Sequence, residues 1–204
     1  IDSMERVVKI TGIDIASLIR ANMGEAYGQG GPFVAVPAGI PGDELRSRLT
    51  KLDNRLTHLE ALQGAMQHIP LAAPLKAYYV TSKFGKRRDP INDKWSMHYG
   101  VDLGSATKST VYATAPGVIT YAGWKGKYGN LVEISHGGAT KTRFGHLGKI
   151  FVKKGQKIGF YDKIGQVGST GRSTGPHLHY EIVFERKPMD PMNFIKAGRY
   201  VFQE

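Results

Sequence analysis

The stretch Ser173-Thr-Gly-Pro-His177-Leu-His179-Tyr-Glu-Ile-Val-Phe184 decides how this chain of 204 residues is interpreted. From position 177 onward polar and apolar side chains alternate, which is the period of a β-strand with one buried face. The polar face carries His177 and His179. On a strand these two positions lie side by side, roughly 7 Å apart, whereas on a helix they would point in different directions. Two imidazoles on the same non-core face indicate a functional site.

Short strand-like runs of this kind extend upstream from that stretch. Glycines separate them, and they occupy positions 77–81, 110–113, 117–122, 130–135, 141–147, 157–161 and 178–184. This pattern predicts a mainly β fold, a compact antiparallel domain that begins near residue 74 and extends to residue 204. Positions 191–197 are expected to add one or two helical turns.

The part of the chain before the β domain predicts an α-helical N-terminal appendage. Residues 1–42 predict a short helix and a Gly/Pro-rich linker. Residues 43–70 predict an amphipathic, coiled-coil-like helix of about six turns, with leucines at steps of four and three. This helix either packs on its own chain or is the stub of a coiled coil that docks a partner. About three heptads do not decide between the two.

Composition excludes several classes of protein. The absence of cysteine rules out a disulfide scaffold, a zinc ribbon and a thiol nucleophile. No apolar run approaches the roughly 20 residues of a membrane-spanning helix. Because the sequence starts at Ile1 without Met, we expect a missing upstream segment, and only that segment would provide a membrane anchor.

The positive charge belongs to the predicted β domain. Residues 70–204 carry 21 Lys+Arg against 9 Asp+Glu, whereas residues 1–69 carry 7 against 8. A basic surface suits a polyanion such as an anionic lipid or an acidic wall polymer, or it serves solubility alone. Since the sequence has no nucleic-acid-binding motif, we expect no nucleic-acid partner.

Two further places in the sequence carry candidate site residues. His98 and Asp102 are four positions apart, a spacing that returns to one face of a strand, and they offer the N and O donors that suit zinc. His146 ends a predicted strand. Taken alone, the pair fits a surface ion pair equally well, and the single histidine indicates little.

Taken together, these pieces are specific. The order His98-x-x-x-Asp102, then His146, then His177-x-His179 resembles the LytM/lysostaphin-type zinc metallopeptidases, family M23. The resemblance runs from about position 73 to position 191. It includes Ser82-Lys-Phe-Gly-Lys-Arg87, Pro116-Gly-Val-Ile, Gly123-Trp124, Tyr128-Gly-Asn-Leu131, Val152-Lys-Lys-Gly-Gln156 and a Gly-Ser-Thr-Gly-Arg-Ser-Thr-Gly-Pro run before the last histidine pair. One departure is Phe144-Gly145, where the family often has Tyr-Ala.

The resemblance implies a fold and a set of residue roles. The fold would be a small β structure with a groove, of the duplicated-hybrid-motif kind. His98, Asp102 and His179 would bind one Zn²⁺ per chain, and three protein ligands leave a fourth position for water or substrate. His146 and His177 would be the catalytic pair, with the division of labour between them left open.

The function implied by the resemblance is zinc-dependent endopeptidase hydrolysis of peptide cross-links in bacterial peptidoglycan. We expect an exported protein of the periplasm or cell envelope. Periplasmic members of the family often carry coiled-coil leaders, so the resemblance together with the leucine-striped helix implies a Gram-negative periplasm and a D-alanyl–diaminopimelate bond, with a glycine bridge as the alternative. The N-terminal helices would bind a regulatory protein partner or cover the groove.

Two other functions stay open. The first is a non-enzymatic LytM-like regulator of other wall hydrolases. The second is a phosphocarrier domain of sugar transport, whose fold has a similar glycine-rich β pattern. The presence of all five site positions argues against both.

Several neighbouring residues receive simpler expectations. Glu181 shares the histidine face of its strand and is expected to pair with a surface lysine rather than to orient a ligand. His136 precedes Gly137-Gly138 and is expected to belong to a hairpin turn. Loops 85–97, 123–129 and 168–176 are expected to wall the groove.

Overall fold

Three helices precede the β-structure in a computed structural model that describes residues 2–23, 43–89 and 93–202. They are α1 (Asp2–Thr11), α2 (Ile15–Met23) and α3 (Asp43–Met66). The prediction of a single short helix near the N-terminus is therefore wrong. Gly12, with a φ of +80°, ends α1, because a left-handed residue cannot continue a helix. The predicted Gly/Pro-rich linker at 28–42 lies outside the described residues.

The third helix packs on the rest of the chain through its C-terminal half. Ala61, Leu62 and Ala65 are buried there, at the spacing of one helical face. The leucines of the N-terminal half are exposed. The leucine stripe that predicted this helix is therefore not its packing face.

The described part of the chain contains twelve strands. They are β1 (Tyr79–Ser82), β2 (Gly85–Arg88), β3 (Trp95–His98), β4 (Val101–Gly104), β5 (Thr110–Tyr112), β6 (Gly117–Trp124), β7 (Asn130–Gly137), β8 (Thr140–Ile150), β9 (Lys157–Ile158), β10 (Lys163–Val167), β11 (His177–Phe184) and β12 (Lys187–Met189). The chain then forms α4 (Pro191–Phe202), which is longer than the one or two turns expected.

The predicted antiparallel β domain is confirmed, and its main sheet runs in the order β1-β4-β11-β8-β7-β6-β9. Strand β10 pairs with β5 and β8, and β12 pairs with β11. Strands β2 and β3 form a separate hairpin. The strands β2, β3, β4, β10 and β12 were missed by the sequence pattern. All four residues of β4 are buried, so it lacks the alternation that marks a half-exposed strand.

One cluster of buried apolar side chains joins the sheet to the helices. It contains Leu103, Phe144 and Tyr180 from the sheet together with Leu18 of α2 and Phe194 of α4. Helices α1 and α4 pack against each other, and α4 lies against β11. Among the described residues no helix combines the length and the apolar character needed to cross a membrane.

Candidate metal centre

Strand β11 carries two of the predicted site residues on one face. Leu178 and Tyr180 point into the core and are fully buried, so His177 and His179 lie on the opposite face. The sequence interpretation of this strand is confirmed. The neighbouring strands bring further side chains to this face. His179 pairs with Asp102 of β4 on one side and with Gly145 of β8 on the other, and Gly145 directly precedes His146.

His98 and Asp102 do not share a strand, contrary to the expectation from their spacing. His98 ends β3 in the small hairpin, whereas Asp102 lies in β4 of the main sheet. Residues 99 and 100 between them change the direction of the chain. Gly100 lies so close to β11 that an added Cβ would be 2.5 Å from the Tyr180 backbone oxygen. Only glycine therefore allows the chain to approach β11 at this point. The loop therefore brings His98 back over Asp102.

Three ligand atoms of these residues converge. His98 Nε2 lies 3.1 Å from Asp102 Oδ1 and 3.2 Å from His179 Nδ1. The distance from His179 Nδ1 to Asp102 Oδ1 is 2.7 Å. These three residues, all buried, form the one cluster in the described residues whose ligand atoms can hold a metal ion.

The other nitrogen of each imidazole already has an acceptor. His98 Nδ1 lies 2.8 Å from the Lys83 carbonyl oxygen, and His179 Nε2 lies 2.9 Å from a Glu181 carboxylate oxygen. Both nitrogens must donate hydrogen to these acceptors, which leaves lone pairs on His98 Nε2 and His179 Nδ1 in the neutral rings. Three lone pairs facing one point, with no hydrogen between them, fit a cation. Two nitrogens and one oxygen suit Zn²⁺.

The electrostatics of the cluster agree with a cation site. Burial raises the pKa of Asp102, but in the metal-free state hydrogen bonds from His179 and His98, donated when their facing nitrogens carry hydrogen, outweigh burial and hold that pKa well below its usual range. For His179, burial lowers the pKa. The hydrogen bonds to Asp102 and Glu181 have the larger, opposite effect and raise the pKa to about 9. In the absence of a metal ion, a proton on His179 would supply the positive charge that the carboxylates require.

The predicted pairing of Glu181 with a surface lysine is wrong. The side chain is buried and accepts hydrogen bonds from His179 Nε2, from the Tyr128 hydroxyl at 2.8 Å and from Arg143 Nη1 at 3.0 Å. Arg143 also donates to Glu133 at 2.8 Å. This network fixes the orientation of the His179 ring from behind. The HxH-x-E spacing on one strand face was the sequence signal for it.

His146 and His177 lie on the open side of the cluster, with ring centroids 4.8 Å apart. His146 Nδ1 lies 2.7 Å from the Thr170 carbonyl oxygen, and His177 Nδ1 lies 2.8 Å from the Gly175 carbonyl oxygen. Both carbonyls fix an Nδ1–H tautomer, so each Nε2 carries the lone pair.

Burial lowers the pKa of His146 to about 4, and that ring is neutral at pH 7. Its φ of +58° is unusual for a residue with a side chain and is held by the surrounding strands.

A groove passes over these residues. One part, about 270 Å³, contains all five histidine and aspartate side chains and is walled by residues that include Lys127, Tyr128 and Arg172. A second part, about 470 Å³, shares Arg87, Asp102, Thr174 and His177 with the first. Residues of all three loops that were expected to wall the groove, 85–97, 123–129 and 168–176, line it. The first of these loops is the β2–β3 hairpin. A separate cavity of about 500 Å³ lies beside α4 and contains no predicted site residue, so chemistry rather than volume identifies the site.

The remaining buried histidine is part of the core structure. His136 lies between the Pro116 carbonyl oxygen, 2.7 Å from Nδ1, and the Thr142 hydroxyl, 2.8 Å from Nε2. Burial lowers its pKa to about 4. It stands just before the β7–β8 turn, as the sequence predicted, and does not line the groove.

Known proteins share the part of the chain that carries this centre. Residues 96–191 match the profile of Peptidase family M23. The peptidoglycan DD-endopeptidase ShyA of Vibrio cholerae is 38% identical over 134 residues, which are 65% of this chain and 30% of ShyA. The chain therefore spans about a third of the length of this curated relative.

Solved structures show the same fold. A zinc-containing peptidase from Vibrio cholerae is 39% identical with a TM-score of 0.56, covering 60% of this chain and 38% of that one. The catalytic domain of the antimicrobial peptidase lysostaphin from Staphylococcus simulans is 34% identical with a TM-score of 0.54. That alignment covers 58% of this chain and 92% of the lysostaphin domain.

Proposed function

Since this chain belongs to peptidase family M23, we propose that it is a zinc-dependent endopeptidase that hydrolyses peptide cross-links of bacterial peptidoglycan. The observation that carries the proposal is the convergence of three metal-ligand lone pairs beside two histidines whose tautomers are fixed. His98, Asp102 and His179 would hold the ion. The similarity to a DD-endopeptidase supports a peptidoglycan substrate.

The residues around the centre support amide hydrolysis. A bound zinc ion would supply a Lewis acid that polarises the scissile carbonyl and acidifies water. His146, neutral at pH 7, is suited to accept a proton at Nε2. His177 presents its own Nε2 to the same space, 3.8 Å from Asp102 Oδ1, and the imidazole that accepts the proton from water would donate it from that same Nε2 to the leaving amine. The groove would hold an extended peptide on both sides of the pair.

Cationic side chains in the groove favour a peptide with free carboxylates. Arg87, Lys127 and Arg172 line it. Arg172 pairs with Asp89 at 2.8 Å, and Arg87 Nη2 lies 3.6 Å from Asp102 Oδ2, while the buried Nε of Arg87 has no hydrogen-bond partner among the described residues. A diaminopimelate carboxylate would be attracted by these three cations, whereas a glycine bridge adds no such charge. We therefore propose the D-alanyl–diaminopimelate bond as the target, in a Gram-negative periplasm.

The regulator alternative requires a site that binds no metal. All five positions are present and converge, which favours hydrolysis over a purely regulatory role. A regulatory protein that binds the N-terminal helices stays a prediction.

Three single substitutions test the proposal. We expect His179→Ala to lose both zinc and wall-lytic activity, because the ion loses a ligand. His177→Ala should keep about one zinc per chain and lose activity. His58→Ala, a histidine on α3 outside the groove, is the matched control and should keep both.

Elemental analysis and mass spectrometry of fragments released from purified sacculi supply the two measurements. Cleavage between D-alanine and diaminopimelate is the expected product pattern. A native protein that takes up no zinc yet binds sacculi would overturn the proposal in favour of the regulator.

A further inference from the structure

Helix α3 has two apolar faces, and only one of them packs against other described residues. Ala61, Leu62 and Ala65 form the face that packs on the core. The second face is a leucine stripe, defined as Leu45, Leu49, Leu52, Leu56 and Leu59, with steps of four and three residues. At 3.6 residues per turn the two faces point in nearly opposite directions. The stripe therefore faces away from the core that the other described residues form.

The stripe is exposed along most of its length. Leu45 is 62% exposed, Leu49 is 55%, Leu52 is 54% and Leu56 is 49%. Four large apolar side chains in one row on a surface helix mark a docking face. Their alternating spacing is that of the a and d positions of a coiled coil, with Leu49 and Leu56 at a.

The charges beside the stripe identify the partner. In this register Arg48 and Arg55 occupy g positions, and Asp53 and Glu60 occupy e positions. In a parallel, in-register pair each g residue faces the e residue of the next heptad on the other helix. Arg48 would then face Asp53 of a second copy, and Arg55 would face Glu60. The surface of α3 is complementary to itself.

The antiparallel arrangement is less favourable. It brings g positions against g positions, so that arginine 48 of one helix approaches arginine 55 of the other. Like charges held side by side oppose association. The ion pair between Arg48 and Glu44 within α3, at 2.6 Å, is no obstacle, because an exposed pair of this kind contributes little.

We propose that two copies of this protein associate through the leucine stripe of α3 as a parallel, in-register coiled coil. The stripe extends over 15 positions, so the interaction is weak and reversible. Because both helices enter their domains at the same end, the two grooves lie at one end of the dimer. Two sites on one particle would then engage a polymeric substrate more tightly than one.

Single cysteines test both association and orientation, since the native chain has no cysteine. We expect Leu49→Cys and Leu56→Cys, in separate full-length proteins, each to form a disulfide-linked dimer under mild oxidation. Two different positions can each face their own copy only in the parallel register, because an antiparallel pair allows this at its centre alone. Ser47→Cys, on the outer face of α3, is the matched control and should stay monomeric.

Charge reversal supplies an independent readout by sedimentation. Arg48→Glu with Arg55→Glu should abolish self-association, and so should Asp53→Arg with Glu60→Arg. Mixing these two variants should restore a dimer. Cross-linking at only one of the two leucine positions would overturn the parallel register. A wild-type protein that stays monomeric at all concentrations, or that uses the stripe to bind a different protein, would overturn the dimer. Neither result would bear on zinc content or wall hydrolysis.

Discussion

The carboxylate of Glu181 determines which nitrogen of His179 is available to a metal ion. Its Oε1 lies 2.9 Å from His179 Nε2, so hydrogen occupies that nitrogen and the lone pair of Nδ1 faces His98 and Asp102. Arg143 and Tyr128 hold the carboxylate in turn. Burial raises the pKa of Glu181, but these hydrogen bonds outweigh burial and lower it, so the group stays ionised.

Removal of this carboxylate should weaken zinc binding while leaving all three ligands in place. We expect Glu181→Ala to lower zinc affinity about 10- to 100-fold, and Glu181→Gln to have a smaller effect because an amide oxygen still accepts the hydrogen bond. Competition with a chelating dye measures the affinity.

Glu133→Gln is the matched control for that pair of substitutions. The substitution removes the second carboxylate that accepts a hydrogen bond from Arg143, at 2.8 Å between Arg143 Nε and Glu133 Oε2. It leaves the hydrogen bond between Glu181 and His179 in place. Zinc affinity should stay within about twofold of the native value, because Glu133 contacts Arg143 and Thr120 but no metal ligand. Equal losses in the Glu133 and Glu181 variants would refute the specific role of Glu181.

At the scale of elements, the centre depends on the close approach of the β3–β4 connection to β11. Gly100 makes this approach possible, since an added Cβ would also lie 3.0 Å from His179 Cε1. The connection belongs to neither strand, yet it sets the distance between His98 of the hairpin and the two ligands of the sheet.

Gly100→Ala should therefore disturb both the sheet and the centre. We expect a loss of about 1–3 kcal/mol in the free energy of unfolding, because a methyl group is forced against backbone atoms. Zinc affinity should fall as well. Chemical denaturation and dye competition measure the two effects.

Gly64→Ala is the comparison for that substitution. Gly64 lies in α3 with nothing within 4 Å of an added Cβ, so alanine should stabilise the protein by about 0.5–1 kcal/mol. If both glycine variants behaved alike, the close contact at Gly100 would not limit the fold.

At the scale of the whole molecule, the N-terminal helices share the core of the β domain. Leu18 of α2 is fully buried in the same cluster as Phe194 of α4 and the apolar side of the sheet. The sequence indicated a boundary near residue 74, which predicts two units. Because one apolar cluster extends across this boundary, we expect the two parts to unfold together.

Leu18→Ala tests that coupling. We expect a loss of about 2–5 kcal/mol and a single unfolding transition, in which helix circular dichroism and the fluorescence of Trp95 and Trp124 change together. Arg20→Ala, an exposed position on the same helix, should change stability by less than about 0.5 kcal/mol. Helices that melt before the tryptophans respond would show that residues 74–204 form a separate unit.

The strands with clear alternation were predictable from the sequence. The run from His177 to Phe184 indicated a strand with a histidine face, because side-chain direction on a strand depends only on position parity. Strands such as β4, buried on both faces, and β2, which is strongly polar, carry no alternation and were missed. The leucine spacing predicted α3 but not the face on which it packs.

The sequence alone determined the donor chemistry: which residues offer nitrogen and oxygen ligands, and which strand carries the histidine pair. Only the tertiary structure decided that His98 and Asp102 lie on different strands, that Glu181 is buried behind His179, and that the leucine stripe faces solvent. Periodicity describes one element at a time. Convergence of ligands and burial of a face depend on which elements pack together.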